Sequence, residues 1–210
     1  VRRMKPAPSV FLVYIGLSTK LMNIGYKPIN IWYFFQYDIN SLYVKIKDNL
    51  FSRKLGWLVC SFRSMYDANN QEMQKSTLSL LTFAPFETIK FWNEKKEEAG
   101  DKIVKLLNKL IPNLSKFIEI KEYATPITFY KYTLNRQGSF VGWLSNEKQT
   151  QFFLVPQKSS IKGLYNVGHW STLSHLSSGG VPIVAFTGRR ASKLILEDFG
   201  YKWNYGEISL

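Results

Sequence analysis

"GLYNVGHWSTLSHLSSGGVPIVAFTGRRASKLIL", Gly163 to Leu196, sets a short apolar run, a glycine pair and a proline ahead of a segment with helical periodicity. A glycine pair before a helix start lets the backbone approach a neighbour closely. A proline in the first helical turn gives up an N–H that has no intrahelical acceptor. The other N–H groups of that turn lie at the positive end of the helix dipole and favour an electron-rich oxygen. The pattern predicts a strand over "GLYNVGH" ending at Gly168-His169, a loop, and a helix from Pro182 to about Phe199 with Gly200 as its stop. Val184, Thr187, Gly188, Ala191 and Ile195 form a stripe on that helix, small at its centre, that lets it lie close on a sheet or a ligand.

Upstream, "SVFLVYIGL" reads as a strand, crowded with β-branched and aromatic residues. "PINIWYFFQY", Pro28 to Tyr37, is too apolar to alternate and predicts a strand buried on both faces or lining an apolar cavity. Asp38 is placed to cap a short helix through about Asn49. "GWLVCSF" and "STLSLLTFAP" are two further strands separated by the polar loop "DANNQEMQK", a layout that predicts a mixed or antiparallel sheet. From Glu94 to Ile111, the residues Ala99, Ile103, Leu106, Leu107, Leu110 and Ile111 fall at helical spacing, with Glu98/Lys102 and Asp101/Lys105 as i,i+4 pairs and Pro112 as the stop. That stripe reads as core. "FIEIKEYATPITFYKYT" then predicts a strand, a proline-containing loop and an aromatic strand, and "NRQGSFVGW" a glycine-rich loop.

At 210 residues and 45% hydrophobic content, the chain can build a sizeable core, in one large domain or in parts of two. Its one cysteine, Cys60, rules out an internal disulfide and, with so few ligands, a zinc-type cluster, which points to a reducing compartment. The longest clean apolar run, Val10 to Ile15 continuing through Gly16 and Leu17, is far short of the roughly 20 residues that span a bilayer. Arg2, Arg3 and Lys5 ahead of "SVFLVYIGL" imitate a secretory signal, but no A-x-A-like cleavage site follows, and a cytoplasmic location is expected. The formal charge of +13 is spread along the chain in nothing longer than basic pairs, and no nucleic-acid-binding signature accompanies it. A basic solvated face, or one peripheral to an anionic membrane, accounts for it better.

His169 and His175, six apart with no third ligand nearby, do not have the spacing of a metal pair. A nucleophilic Cys60 with His169 as base would need the fold to bring them together, and no local signature supports it. There is no G-x-S-x-G, no P-loop and no G-x-G-x-x-G, so these residues carry no complete phosphate-binding fingerprint.

At "GLYNVGH…SSGGVP…TGRRAS" the chain resembles the C-terminal flavin-binding signature of the carotenoid desaturase, carotene isomerase and retinol saturase family of flavoproteins. The resemblance extends backward through "IKGLYNVGHW", "IEIKEYATPITFYKYTLNRQGSFVGW", "LLNKLIPNL", "STLSLLTFAPFETIKFW" and "MKPAPSVFLVYIGL", in the order those proteins show; it is least specific from Asn40 to Lys75. It implies a mixed α/β (α+β) fold, the C-terminal part of a two-domain, amine-oxidase-like FAD-dependent flavoprotein. Residues 1–155 would belong to the substrate-binding domain with its mixed sheet. Residues 156–210 would be the strand and helix that return to the Rossmann-like FAD domain.

The resemblance further implies that Gly179, Gly180 and Val181 bring backbone N–H groups toward the pyrimidine edge of the flavin. Pro182 would open the helix whose dipole stabilises charge on the reduced ring. Gly168 and His169 would lie near the ribityl and phosphate part, although His169 stands where members of the family often carry an acidic residue. The cofactor implied is FAD, the substrate an apolar polyene such as a carotenoid or retinoid, and no acid or base catalyst is identified. In that family the glycine fingerprint lies near the start of a much longer chain, so the resemblance implies an N-terminal half or partner chain carrying G-x-G-x-x-G; a fragment, a split gene product and a decayed remnant all fit. The alternative reading is a non-catalytic basic accessory protein that holds an anionic membrane surface or nucleic acid.

Overall fold

In the computed structural model, residues 4–25, 30–41, 45–51, 55–62, 75–146, 149, 155–171, 180–204 and 207–209 are described. Strand β1, Ser9–Leu17, has Phe11, Val13, Ile15 and Leu17 buried on one face and Val10 and Leu12 on the other. A strand covered on both faces needs partners on both edges. It has them: β4 (Thr77–Ala84) pairs antiparallel with it from Ser9↔Ala84 to Gly16↔Thr77, and β5 (Ile118–Ala124) pairs on the other side. With β2 (Ile31–Phe34) and β3 (Trp57–Ser61) the order is β2-β3-β4-β1-β5, all antiparallel, the second of the two arrangements the layout left open and not the mixed sheet. This sheet lies in one compact unit, residues 8–138. The fold is mixed α+β.

Helix α1 is Ile46–Phe51, starting eight residues after Asp38, whose Oδ1 instead accepts the nearby Ser41 N–H at 3.3 Å. The long helix α2 spans Ile89–Leu110, starting five residues ahead of the expected Glu94 because Thr88 caps it, its side chain accepting the Phe91 N–H at 3.2 Å. The earlier start turns Trp92 into the core, where it stacks on Phe11 at 5.3 Å. Ala99, Ile103, Leu107 and Ile111 are fully buried against the β1 face that carries Phe11, as the helical spacing requires. Of the two expected i,i+4 pairs, Glu98 still acts on Lys102 through its charge, and both Lys102 and Asp101 also take longer-range partners. Lys102 Nζ donates to the carbonyls of Leu50 at 2.7 Å and Asn49 at 3.3 Å near the end of α1, and Asp101 pairs with Lys121 of β5 at 2.6 Å.

Two further expectations are corrected. The strand within Pro28 to Tyr37 is neither buried on both faces nor enclosed: β2 is an edge strand with one neighbour, and Trp32, Tyr33 and Phe34 are exposed. Trp32 and Phe34 pair across from Val59 and Trp57, and on this face Trp57 meets Trp32 at 5.6 Å and Phe83 at 4.7 Å. The result is an open aromatic shelf on the side of the sheet away from α2. The second correction concerns "ITFYKYT", which is no strand but helix α3, Pro126–Thr133. Its start is fixed by a reciprocal capping box: Thr128 Oγ1 accepts the Thr125 N–H at 3.1 Å while Thr125 Oγ1 accepts the Thr128 N–H at 3.4 Å, with Pro126 behind it. Capping chemistry outweighs the β propensity of three aromatic residues here.

The second unit comprises residues 1–7 and 139–210. Its N-terminal tail is held at Lys5, whose N–H donates to Gln149 Oε1 and whose carbonyl accepts from Gln149 Nε2 at 3.0 Å. The Ala7 N–H donates to the Gly142 carbonyl at 2.8 Å. Helix α4, Val181–Asp198, ends at Gly200 in a left-handed turn (φ 86°), and the hairpin of β6 (Lys202–Asn204) and β7 (Glu207–Ser209) follows. The expected strand over "GLYNVGH" is reduced to a bridge, Lys158↔Tyr165, and a single 3-10 turn at Gly168–Trp170. A strand forms only where a neighbour offers a ladder of hydrogen bonds, and this segment has that neighbour at one residue. Among the described residues no helix is long and apolar enough to cross a membrane.

Two tests follow from this packing. A Cβ on Gly100 of α2 would fall 2.1 Å from Tyr123 Cε1, in a ring stacked on Phe11 at 5.8 Å. Helix propensity alone would make Gly100→Ala stabilising by about 1 kcal/mol, whereas overpacking costs about 1–3 kcal/mol. The clash should win: thermal unfolding of Gly100→Ala is expected below wild type, and Gly100→Ala/Tyr123→Leu is expected to recover most of the loss. Burial pushes the Cys60 thiol up to about 12. At pH 8 its thiolate is then about a thousandfold scarcer than that of an ordinary thiol, so Cys60 should resist a disulfide reagent until denaturant is added. Fast labelling of the native chain would contradict that burial.

Candidate functional site

Gly180 adopts φ 94° and ψ 175°, backbone that glycine alone enters without strain, and its carbonyl accepts the Val184 N–H at 3.2 Å as the first bond of α4. Pro182 stands in the first turn. No side-chain cap and no acidic residue occupies this helix start, and Val181 is 82% exposed. The Val181 and Ile183 N–H groups therefore belong to a turn that offers them no intrahelical acceptor, at the positive end of an eighteen-residue helix. Gly179 lies outside the described residues, so the glycine pair is seen only through its second member.

The Gly168-His169 turn is fastened to the same helix further along. Thr187, fully buried, donates from Oγ1 to the Val184 carbonyl at 2.8 Å and accepts the Gly168 N–H at 2.9 Å. Gln157, also buried, donates from Nε2 to the Thr187 carbonyl at 2.6 Å, and its own carbonyl accepts the Asn166 N–H at 2.7 Å. Gly168 (φ 82°) is thereby held beside α4 about two turns, roughly 10 Å, from the helix start. The predicted site residues thus form two groups along one helix: Gly180, Val181 and Pro182 at its open end, Gly168 and His169 on its flank.

His169 is placed by its backbone. Gly142 (φ 86°) lies so close to it that a Cβ there would fall 2.1 Å from the His169 carbonyl oxygen. Trp143 donates from Nε1 to the Trp170 carbonyl at 3.0 Å, and the two indoles meet edge to face at 4.6 Å. At the far end of α4, Asp198 accepts from Lys158 Nζ and from the Tyr165 hydroxyl at 2.5 Å; the lysine first, then the tyrosine, hold its carboxyl below the usual range. The fasteners Gln157, Gly142, Trp143 and Thr187 were not legible as such. A threonine amid small residues in a helix and a glycine before a tryptophan were the only local signals, and their partners are 15 or more residues away. Burial of the Cys60 thiol removes it as a thiolate nucleophile.

What this arrangement can do is present backbone donors, on a rigid helix, to the oxygen or nitrogen edge of a planar ligand. Among the described residues it contains no second glycine loop to receive a pyrophosphate. The residues present fit one edge of a flavin and leave the remainder of a dinucleotide to other groups.

No protein-family model matches the chain. Over 115 residues, 54% of its length, it is 30% identical to a prolycopene isomerase 2, chloroplastic, of an Oncidium hybrid cultivar, of which the match covers 19%. Over 112 residues, 53% of its length, it is 30% identical to the chloroplastic prolycopene isomerase of Daucus carota, of which the match covers 18%. The matched stretch amounts to about a fifth of each of these relatives, so that along half of its own length this chain is similar to prolycopene isomerases.

Proposed function

We propose that these residues form the C-terminal part of an FAD-dependent oxidoreductase that desaturates, saturates or isomerises an apolar polyene, a carotenoid or a retinoid. The observation that carries this reading is the similarity to two prolycopene isomerases. The geometry supports it in two places. The uncapped, accessible start of α4 suits the electron-rich pyrimidine edge of a flavin, with Gly180 giving the close approach and Val181 an N–H donor. The aromatic shelf of Trp32, Phe34, Trp57 and Phe83 suits a flat conjugated hydrocarbon, which gains by stacking and burial without needing hydrogen bonds.

In this reading residues 1–155 contribute to the substrate-binding domain and residues 156–210 return to the FAD domain. FAD, when bound, supplies the hydride or electron exchange with the polyene. This chain's residues orient the ring edge at α4 and hold the Gly168-His169 turn along the cofactor through Thr187. The pyrophosphate cradle comes from an N-terminal half, in the same gene or a neighbouring one, that carries G-x-G-x-x-G. Without it the 210 residues hold FAD poorly, because a dinucleotide deprived of its phosphate contacts loses most of the charge-assisted hydrogen bonds that anchor it.

The reading is tested by expression with and without such a half. The chain alone is expected to be colourless and to aggregate, and co-expression should yield a yellow flavoprotein. A soluble 210-residue monomer with stoichiometric FAD would overturn the incompleteness, and a co-expressed protein with neither flavin nor any effect on polyenes would overturn the activity. In the co-expressed protein Gly180→Ala forces a side chain into φ 94°, at a cost of about 1–3 kcal/mol, and should weaken FAD retention about tenfold or more. Trp32→Ala/Phe34→Ala should leave flavin content unchanged while lowering polyene turnover several-fold. Equal turnover in that double variant would remove the shelf from the substrate path.

A further inference from the structure

Phe186, Arg189, Arg190 and Lys193 recur at i, i+3, i+4 and i+7, which places them on one face of α4, opposite the stripe of Val184, Thr187, Ala191 and Ile195 that packs inward. Trp203 of β6 stands beside them, and together the five residues line a cleft of about 280 Å³. The Arg189 guanidinium lies 5.7 Å from the centre of the Trp203 ring, a cation–π contact that holds both over the cleft. None of the described lining residues is acidic. Glu197, one turn beyond, reaches Lys193 at 3.7 Å, but both are about half exposed and the pair is worth little. Phe186 is 52% exposed at the edge. Three cations on a helix face make it a costly surface to pack into an apolar core, since each would lose its hydration.

We propose that this cleft is a headgroup site for anionic lipid. The lipid phosphate sits between Arg189, Arg190 and Lys193, and Phe186 and Trp203 enter the boundary between headgroups and acyl chains. The inference goes beyond the flavin reading and uses none of the residues at the start of α4. A lipid fits better than a nucleic acid for two reasons. The cations span only five residues, about 6 Å of helix, enough for one or two phosphates and too short for the phosphate track that a nucleic-acid strand requires. An exposed ring, Phe186, on the same helix face as the basic side chains, with the partly buried Trp203 beside it, is a composition suited to a membrane interface. The net charge of +13 draws the whole chain to such a surface, and the cleft gives the attraction a place to dock.

The test is flotation on a density gradient with vesicles of phosphatidylcholine alone or mixed with phosphatidylglycerol, using the full chain, alone or with its co-expressed N-terminal half. Bound protein floats and aggregate sinks, so the two are distinguished. Wild type should float only with the mixed vesicles. Arg189→Gln/Arg190→Gln, its helix content verified by circular dichroism, should bind about thirtyfold more weakly, at roughly fivefold per basic residue near an anionic surface. The charge-matched control Lys105→Gln/Lys109→Gln, on α2, should stay within about twofold of wild type, as expected of charges outside the contact. Equal losses in the two double variants would overturn the site in favour of diffuse charge. Thermal stabilisation by inorganic phosphate without flotation would replace lipid by a soluble anion, and retention of a short RNA without flotation would replace it by nucleic acid. None of these outcomes depends on flavin, so the docking site and the flavin reading stand or fall separately.

Discussion

The sheet unit depends on β1 being buried on both faces. With Phe11, Val13, Ile15 and Leu17 on one side and Val10 and Leu12 on the other, the strand cannot sit at an edge or face water, and every neighbour answers that requirement. β4 and β5 take its hydrogen bonds, α2 covers the first face with Trp92, Ile103 and Leu107, and Leu81, Phe83 and Phe129 partly cover the second. Burying side chains of this size contributes about 1.5–3 kcal/mol each, an upper figure because the unfolded chain already hides part of that area. Coverage of the second face thins toward β3 and β2. The aromatic shelf is therefore a product of the same sheet: the pleat that sends Tyr33 toward the α2 side sends Trp32 and Phe34 to the opposite side, where both are exposed.

In the second unit the comparable constraint is Thr187. A buried hydroxyl that accepts one N–H and donates to one carbonyl satisfies two demands at once, its own and that of the Gly168 turn. Each such bond contributes only about 1 kcal/mol net, yet removing one partner leaves the other buried without an acceptor, which costs more than the bond was worth. That asymmetry fixes the turn's position more firmly than its size suggests. Gln157 adds a second tie through the carbonyl of the same residue, so helix, turn and the preceding loop converge on one side chain and one peptide group.

Legibility followed the range over which each signal acts. β1, β3, β4, the inward stripe of α2 and the span of α4 could be read because period and stop signals are carried by the segment itself, from "SVFLVYIGL" to Pro112 and Gly200. The aromatic run after Pro126 misled because its β propensity is local too, and only the Thr125/Thr128 reciprocity, a three-residue signal easily passed over, outweighs it. The strand over "GLYNVGH" was a reasonable reading of composition that composition cannot settle, since a strand exists by virtue of its neighbour. Of the site, the helix start at Gly180 and Pro182 was readable from residue type. The Thr187–Gly168 tie was not, because nothing in a sequence marks which threonine hydroxyl will meet which N–H nineteen residues away.

The two faces of α4 show how much one helix can be asked to do. The inward face is small, apolar and tied by hydrogen bonds, which makes the helix a rigid mount. The outward face carries Arg189, Arg190 and Lys193, the proposed anion site, and the start has no side-chain cap among the described residues. These roles do not compete, because the dipole acts within the first turn whereas the cations begin two turns later. An apolar polyene is carried by the bilayer and not by water. In the proposed reading α4 would therefore serve both ends of the problem, its start offering donors to a flavin edge and its length offering a basic, aromatic surface to the bilayer.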